Sequence, residues 1–172
     1  MTLIVPKDYE SAGLVFPAEG MSISPIIRDL LYLGSTPRDG ESLERFRRGP
    51  SPVLALTFLL PTERPTPRLV GCEHRHYELD DNLDDPVERP PRVRGMKLRE
   101  VFDVGMHVAE RMQQQKGTVV MCAQGLNRSA MIVGIALRAI HWSPDRVVDT
   151  IRTARGGHAL CNRTFYAMVT AT

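Results

Sequence analysis

Two side chains six positions apart, Cys122 and Arg128, carry the sharpest chemical signal in the chain. Ala123, Gln124, Gly125, Leu126 and Asn127 lie between them, Val119-Val120-Met121 precede, and Ser129 and Ala130 follow. That order predicts a strand, a tight loop and a helix start. A loop running into a helix N-terminus points several backbone N–H groups at its centre, where the helix dipole adds partial positive charge. The segment therefore encodes an anion cradle whose phosphate ligands are the backbone of residues 123–127 and the guanidinium of Arg128. The positive field favours thiolate over thiol, which makes Cys122 a nucleophile at neutral pH, and the planar fork of Arg128 grips two phosphate oxygens. Gly125 permits the sharp turn, and Ser129 is placed to donate a hydrogen bond to the sulfur.

With three Cys and 19 Arg in the chain, a Cys followed six positions later by Arg is expected about 0.3 times by chance, so the pair alone decides little. Requiring Gly at the fourth position and Ser or Thr after the Arg lowers the expectation to about 0.003, which separates the loop from a buried Cys and an unrelated capping Arg. A second cluster is acidic. Asp80, Asp81, Asp84 and Asp85 fall within six positions, and like-charge repulsion among them raises their carboxyl pKa values. The plain alternative for its neighbours is a solvated acidic loop, and no accompanying ligand spacing marks a divalent-metal site.

The elements that must position these groups follow from pattern. Residues 1–22, broken by Pro6, Gly13, Pro17 and Gly20, read as an arm laid over the domain. Residues 23–34 read as a short pair of strands ending in a turn, and 39–48 as a helix with Leu43 and Phe46 on its apolar side. The continuous apolar run 53–60 has the signature of a strand buried on both faces, and 73–79 restores a strand that delivers the chain to Asp80 and Asp81. Residues 86–95, with three Pro and three Arg, read as an extended loop. The clearest amphipathic helix spans 97–115, with Leu98, Val101, Phe102, Gly105, Val108, Ala109 and Met112 on one side. A strand at 118–121, an apolar helix at 129–141, a helix opened by Ser143-Pro144-Asp145 and running through Arg155, and a short helix over 163–169 complete the chain. Strands alternating with helices predict one α/β domain, with a mainly parallel central sheet flanked by helices.

Length and composition set outer bounds. One domain with a real core fits 172 residues. Hydrophobic residues at 42% and charged ones at 24% exclude disordered, collagen-like and disulfide-dense classes. A net charge of +2 is too small for nucleic-acid binding by bulk electrostatics. Three cysteines without a repeated CxxC indicate neither a disulfide framework nor a zinc module and fit a reducing compartment. Residues 1–10 lack the apolar run of a signal peptide, and no stretch approaches the ~18 apolar residues of a membrane span. A cytoplasmic protein without a membrane partner is expected.

Taken with these residues, the chain resembles the cysteine-dependent phosphatases and, within them, the dual-specificity phosphatase family. Leu31-Tyr32-Leu33-Gly34-Ser35 is similar to the family's opening strand and Val53 to Thr57 to its central strand. Cys122 to Ser129 matches the signature loop, Leu79-Asp80-Asp81-Asn82 is similar to the general-acid segment, and Asn162 with Phe165 matches an Asn-x-x-Phe near the C-terminal helix. The resemblance covers residues 23–172 and implies a catalytic domain of α/β fold. It implies Cys122 as nucleophile, Arg128 and the 123–127 backbone as phosphate ligands, Asp81 as general acid and Ser129 as the group that helps the thiolate leave, with no metal or cofactor. The substrate it implies is a phosphorylated protein carrying phosphotyrosine, with phosphoserine and phosphothreonine as further targets.

Three departures qualify the match. Met121 stands where the family usually has a His that orders the loop, which predicts a less ionised Cys122 and slower chemistry. The spacing from Asp81 to Cys122 exceeds the family norm, which leaves the acid loop freer to move. Cys161 replaces the usual Pro before Asn162, which predicts a less rigid turn. Two alternatives stay open. The loop 125–128 also resembles that of an RNA 5′-end phosphatase branch, which keeps open an RNA 5′-end or other non-protein phosphate as substrate, with nucleic acid as partner in the first case, although that branch tends to lack an acid like Asp81. Met121 motivates a phosphate-binding pseudophosphatase. Among the remaining residues, Cys72 resembles a second cysteine that traps an oxidised nucleophile in some relatives, against the plain reading of a buried thiol. His74 and His76 alternate as a metal pair does, but read more simply as surface or hydrogen-bonded histidines. Trp142 reads as packing, and Arg155 as a basic helix C-terminus rather than a contact for a second phosphate.

Overall fold

The computed structural model describes residues 23–36, 53–60, 62–63, 72–81 and 96–171. The arm at 1–22, the helix expected over 39–48 and the loop 86–95 lie outside them. Among the described residues five strands form one sheet: β1 (Ile23–Ile27), β2 (Leu31–Ser35), β3 (Leu54–Phe58), β4 (Glu73–Tyr77) and β5 (Thr118–Cys122). Their order is β1-β2-β5-β3-β4. Only β1 and β2 pair antiparallel, across the turn 28–30; every other pairing is parallel. The apolar runs of β3 and β5 are buried along their whole length, which accounts for their places inside the sheet. β4, with Glu73 and Arg75 exposed, takes the edge.

Among the described residues four helices, α1 (Leu98–Gln113), α2 (Arg128–Ala139), α3 (Pro144–Arg155) and α4 (Arg163–Thr170), carry the rest of the core. Helix α2 is buried from Arg128 to Leu137 because it packs against the sheet and all three other helices. The main core joins these helices to Leu31, Leu33, Leu54, Leu56, Phe58 and Val120 on one sheet face. A smaller cluster of Ile23, Ala55, Val119 and Met121, with Tyr32, Val53 and Cys72 against it, lies on the other.

Local chemistry sets the helix ends. Glu100 reaches back to the Lys97 N–H at 2.9 Å, Ser143 accepts from Arg146 N–H ahead of Pro144, and Asn162 accepts from the N–H groups of Thr164 and Phe165. The buried side of α1 differs from the sequence expectation. Val101, Val104, Gly105, Val108, Ala109 and Met112 face inward, whereas Leu98 and Phe102 are 56% and 39% exposed. Close approach of α2 fixes this rotation: a Cβ on Gly105 would lie 2.4 Å from Ile135, so the helices meet at that glycine and the 98/102 flank turns outward. β5 extends one residue beyond expectation to include Cys122, whose register partners are Ser35 and Phe58.

Candidate active site

Because β5 is flanked by the parallel strands β2 and β3, its C-terminal end opens at the place where open α/β sheets form ligand sites. Cys122 sits there, 2% exposed, and residues 123–127 make the loop into α2. Gly125 carries the turn at φ +68°, and a Cβ there would fall 2.4 Å from the Gly34 carbonyl carbon, so both its conformation and its closeness to β2 demand glycine. The Gly125 N–H donates to Cys122 Sγ at 3.2 Å, and Ser129 Oγ lies 3.2 Å from the same sulfur. Helix α2 begins with no acidic residue in its first turn and no side-chain cap, which leaves its N-terminal dipole uncompensated on the loop side. The Asn127 side chain instead accepts from Asn162 N–H at 3.2 Å and from Cys161 Sγ at 3.4 Å.

Arg128 is 4% exposed, and its five N–H donors can be accounted for one by one. Nη1 and Nη2 donate to Glu63 Oε2 and Oε1, both at 2.6 Å, and Nη1 also donates to the Leu79 carbonyl at 3.0 Å. Among the described residues no hydrogen bond uses the second Nη2 proton or the Nε–H, and together they form the side fork suited to a phosphate. Among the described residues buried Nε has no hydrogen-bond partner, nor has Asp81 Oδ1, which lies 3.5 Å from it. This side of the guanidinium thus faces the candidate general acid.

Glu63 is the residue that sequence reasoning missed. The Arg128 hydrogen bonds hold its carboxyl below the usual carboxylate range, with the Leu60 N–H adding to the effect at 2.6 Å. Asp81 moves the other way. Burial pushes its carboxyl above the ordinary Asp value; Arg128 opposes this, and the negative charges of Glu63 and Asp80 reinforce it. Burial therefore leads, where the sequence pointed to like-charge repulsion alone, and Asp84 and Asp85 lie outside the described residues. Asn162 Nδ2 donates to the Asp81 carbonyl, so the cap of α4 also anchors the acid segment.

The remaining residues sort clearly. Met121 is fully buried on the sheet face opposite Cys122. Arg155 is not a solvated helix end: its Nε and Nη2 donate to the Gly125 and Gln124 carbonyls, each at 3.1 Å. The turn before Asn162 is tied to the loop by Leu160 N–H to the Leu126 carbonyl at 2.9 Å and by the two contacts on Asn127, so the Cys161 substitution leaves it pinned. Cys72 precedes Glu73, which is level with Thr118 at the far end of β5 from Cys122. At ~3.3 Å per strand residue that separation exceeds disulfide reach, and the thiol packs on the opposite face, so the trapping role is excluded in this fold. His74 Nε2 and His76 Nδ1 both lie 3.0 Å from the buried Thr57 Oγ1, in keeping with hydrogen-bonded histidines. Among the described residues no three His, Cys, Asp or Glu side chains are grouped to hold a metal, and no helix is long and apolar enough to cross a membrane. Trp142 packs at the end of α2, 7% exposed, with the Arg146 guanidinium 3.9 Å from its ring.

No protein-family model and no curated protein matches the sequence. Solved structures do match in shape. Human DUSP28 aligns over 90% of this chain and 93% of its own with a TM-score of 0.64 at 18% identity. The chain has the dual-specificity-phosphatase fold. A mouse protein crystallised with zinc tungstate and assigned to the dual specificity phosphatases shares that fold over 90% of this chain and 89% of its own, with a TM-score of 0.63 at 20% identity. So does the human tyrosine phosphatase-like serine/threonine/tyrosine-interacting protein, over 86% and 92%, with a TM-score of 0.62 at 13% identity. The dual-specificity-phosphatase fold accounts for the single α/β layer arrangement and for the loop position at the end of β5.

Proposed function

We propose that this protein is a cysteine-dependent phosphatase that hydrolyses phosphate monoesters, with phosphotyrosine in proteins as the leading substrate and phosphoserine and phosphothreonine as further ones. The observation that carries the reading is the convergence on one sulfur: Cys122 Sγ receives Gly125 N–H and faces Ser129 Oγ at the mouth of a helix whose buried Arg128 turns its side fork towards Asp81.

The reaction follows in two displacements. The Cys122 thiolate attacks phosphorus in line with the ester oxygen; the S–P bond forms and the P–O ester bond breaks. Asp81, whose carboxyl burial raises above the ordinary Asp value, gives its proton to the departing alkoxide or phenoxide, while Arg128 and the 123–127 amides hold the equatorial oxygens. Water then attacks the cysteinyl-phosphate, yields its proton to Asp81, and releases phosphate as the S–P bond breaks and Ser129 stabilises the thiolate.

Hydrolysis of a small aryl phosphate near pH 6, comparing wild type with Cys122→Ser and Asp81→Asn, tests this. Expected are loss of turnover in Cys122→Ser, inhibition of wild type by vanadate, and a kcat lowered about 10²–10⁴-fold in Asp81→Asn. Turnover that survives Cys122→Ser overturns the reading. A wild type that binds phosphate analogues without turnover makes the protein the phosphate-binding pseudophosphatase, and preference for RNA 5′-ends over phosphopeptides moves the substrate to nucleic acid.

A further inference from the structure

A loop that turns its N–H groups onto an anion must turn the carbonyls of the same peptides outward, because the planar trans peptide holds N–H and C=O on opposite sides. Each outward carbonyl then needs a donor. For most of this loop the donors are backbone groups. The Cys122 carbonyl accepts from Thr36 N–H at 2.9 Å, Leu126 from Leu160 N–H at 2.9 Å, and Asn127 from Met131 N–H at 2.8 Å. The two carbonyls at the middle of the loop, Gln124 and Gly125, share one side chain, the Arg155 guanidinium, through Nη2 and Nε.

Arg155 is itself held. Its Nη1 donates to Ser24 Oγ at 3.4 Å, and that hydroxyl, 3% exposed on β1, donates to the Ala154 carbonyl at 2.8 Å. The C-terminal end of α3 is thereby fixed to the sheet and its last side chain is aimed at the loop. The residue preceding the nucleophile contributes nothing comparable, since Met121 is apolar and packs on the opposite sheet face. The consequence reaches the sulfur in one step: the Gln124–Gly125 peptide whose carbonyl Arg155 holds is the one whose N–H donates to Cys122 Sγ.

We propose that Arg155 is the positioning residue that gives the loop its anion-binding shape, its fork holding the Gln124 and Gly125 carbonyls outward so that the N–H groups of Gly125 and Leu126 face the sulfur and the bound oxyanion. Its positive charge also lies within electrostatic reach of Cys122. The inference deepens the phosphatase reading and rests on the loop being an oxyanion site.

The test compares full-length wild type with Arg155→Met, which keeps the length and removes charge and donors, and Arg155→Lys, which keeps the charge but cannot serve both carbonyls as a planar fork. Three readouts are taken: tungstate affinity by calorimetry, the rate of Cys122 alkylation by iodoacetamide at pH 7 followed on its peptide by mass spectrometry, and aryl phosphate kinetics. In Arg155→Met we expect tungstate binding and Cys122 alkylation each to fall at least tenfold, in a protein whose near-UV circular dichroism matches wild type. In Arg155→Lys we expect alkylation to recover to within threefold while tungstate affinity stays reduced. Folded Arg155→Met with wild-type alkylation and tungstate affinity overturns the inference. If Arg155→Met does not fold, undiminished tungstate affinity in Arg155→Lys overturns it. A wild type that neither binds tungstate nor turns over aryl phosphate removes the oxyanion site and this inference with it; a wild type that does both while the variants match it removes the inference alone.

Discussion

Replacing Glu63 by Gln removes one negative charge beside Arg128 and leaves size and fold contacts nearly intact. The wild-type pair is two contacts of 2.6 Å between an Arg side chain 5% exposed and a Glu side chain 26% exposed. A hydrogen bond to a charged group contributes about 1.5–3 kcal/mol. Gln retains one acceptor but sets an N–H₂ group against the other guanidinium nitrogen, so one of the two bonds is lost. Water reaches the partly exposed carboxyl and compensates in part, leaving about 1.5–2 kcal/mol of orienting energy. If that energy serves to present the Nε/Nη2 fork to phosphate in the transition state, kcat/KM for an aryl phosphate falls roughly 10–30-fold. A second readout is independent of this. The negative charge of Glu63 beside Asp81 raises the pKa of that carboxyl, so its removal moves the alkaline limb of the kcat profile to lower pH. Steady-state kinetics between pH 4.5 and 8 measure both. A variant with kcat/KM within threefold of wild type and an unmoved alkaline limb would refute the reasoning.

Asn162 joins a helix cap to the acid segment, so Asn162→Ala is expected to lower stability by about 1–2 kcal/mol through the lost cap and, separately, to lower kcat by releasing the Asp81 backbone. A denaturant melt and aryl phosphate kinetics report the two effects, and full kcat in a destabilised variant would show that the Asp81 tie is unimportant. His74 is pushed below its ordinary value by burial first and by His76 second. The unfolded chain therefore binds its proton near pH 6.5 while the folded protein does not, so this group's contribution is full above pH 6.5 and declines as pH falls towards the lowered folded value. Thermal melts between pH 5 and 7.5 are expected to show a shallower fall in Tm for His74→Gln than for wild type; parallel curves would contradict the assignment.

How much of the site was readable depended on chain separation. Cys122, Gly125, Arg128 and Ser129 are neighbours in sequence, so a strand, a glycine turn and a helix start are enough to bring their atoms together, and spacing alone reveals them. Asp81 was reachable because its short strand delivers the chain to the same sheet end. Glu63 was not: it lies 65 residues from Arg128 in a proline-rich stretch, and in isolation it is an ordinary surface acid. One signal pointed to it, its place just beyond a wholly buried central strand, where α/β sheets gather ligand sites. Arg155 was misjudged for the same reason, since a basic residue in the last turn of a helix is normally explained by the dipole.

The sequence by itself determined the alternation of strands and helices, the two doubly buried strands and the loop that ends at Arg128, because local periodicity and turn chemistry act over a few residues. Tertiary structure decided which groups complete the site. Parallel pairing of β3 beside β5 brought Glu63 to the back of Arg128, and docking of α3 on β1 turned Arg155 onto the loop carbonyls. The inward face of α1 was decided likewise, by the contact of Gly105 with Ile135 rather than by the spacing of apolar residues. Hydrogen-bond and steric complementarity between distant segments exists only once the sheet is assembled, and no spacing along the chain encodes it.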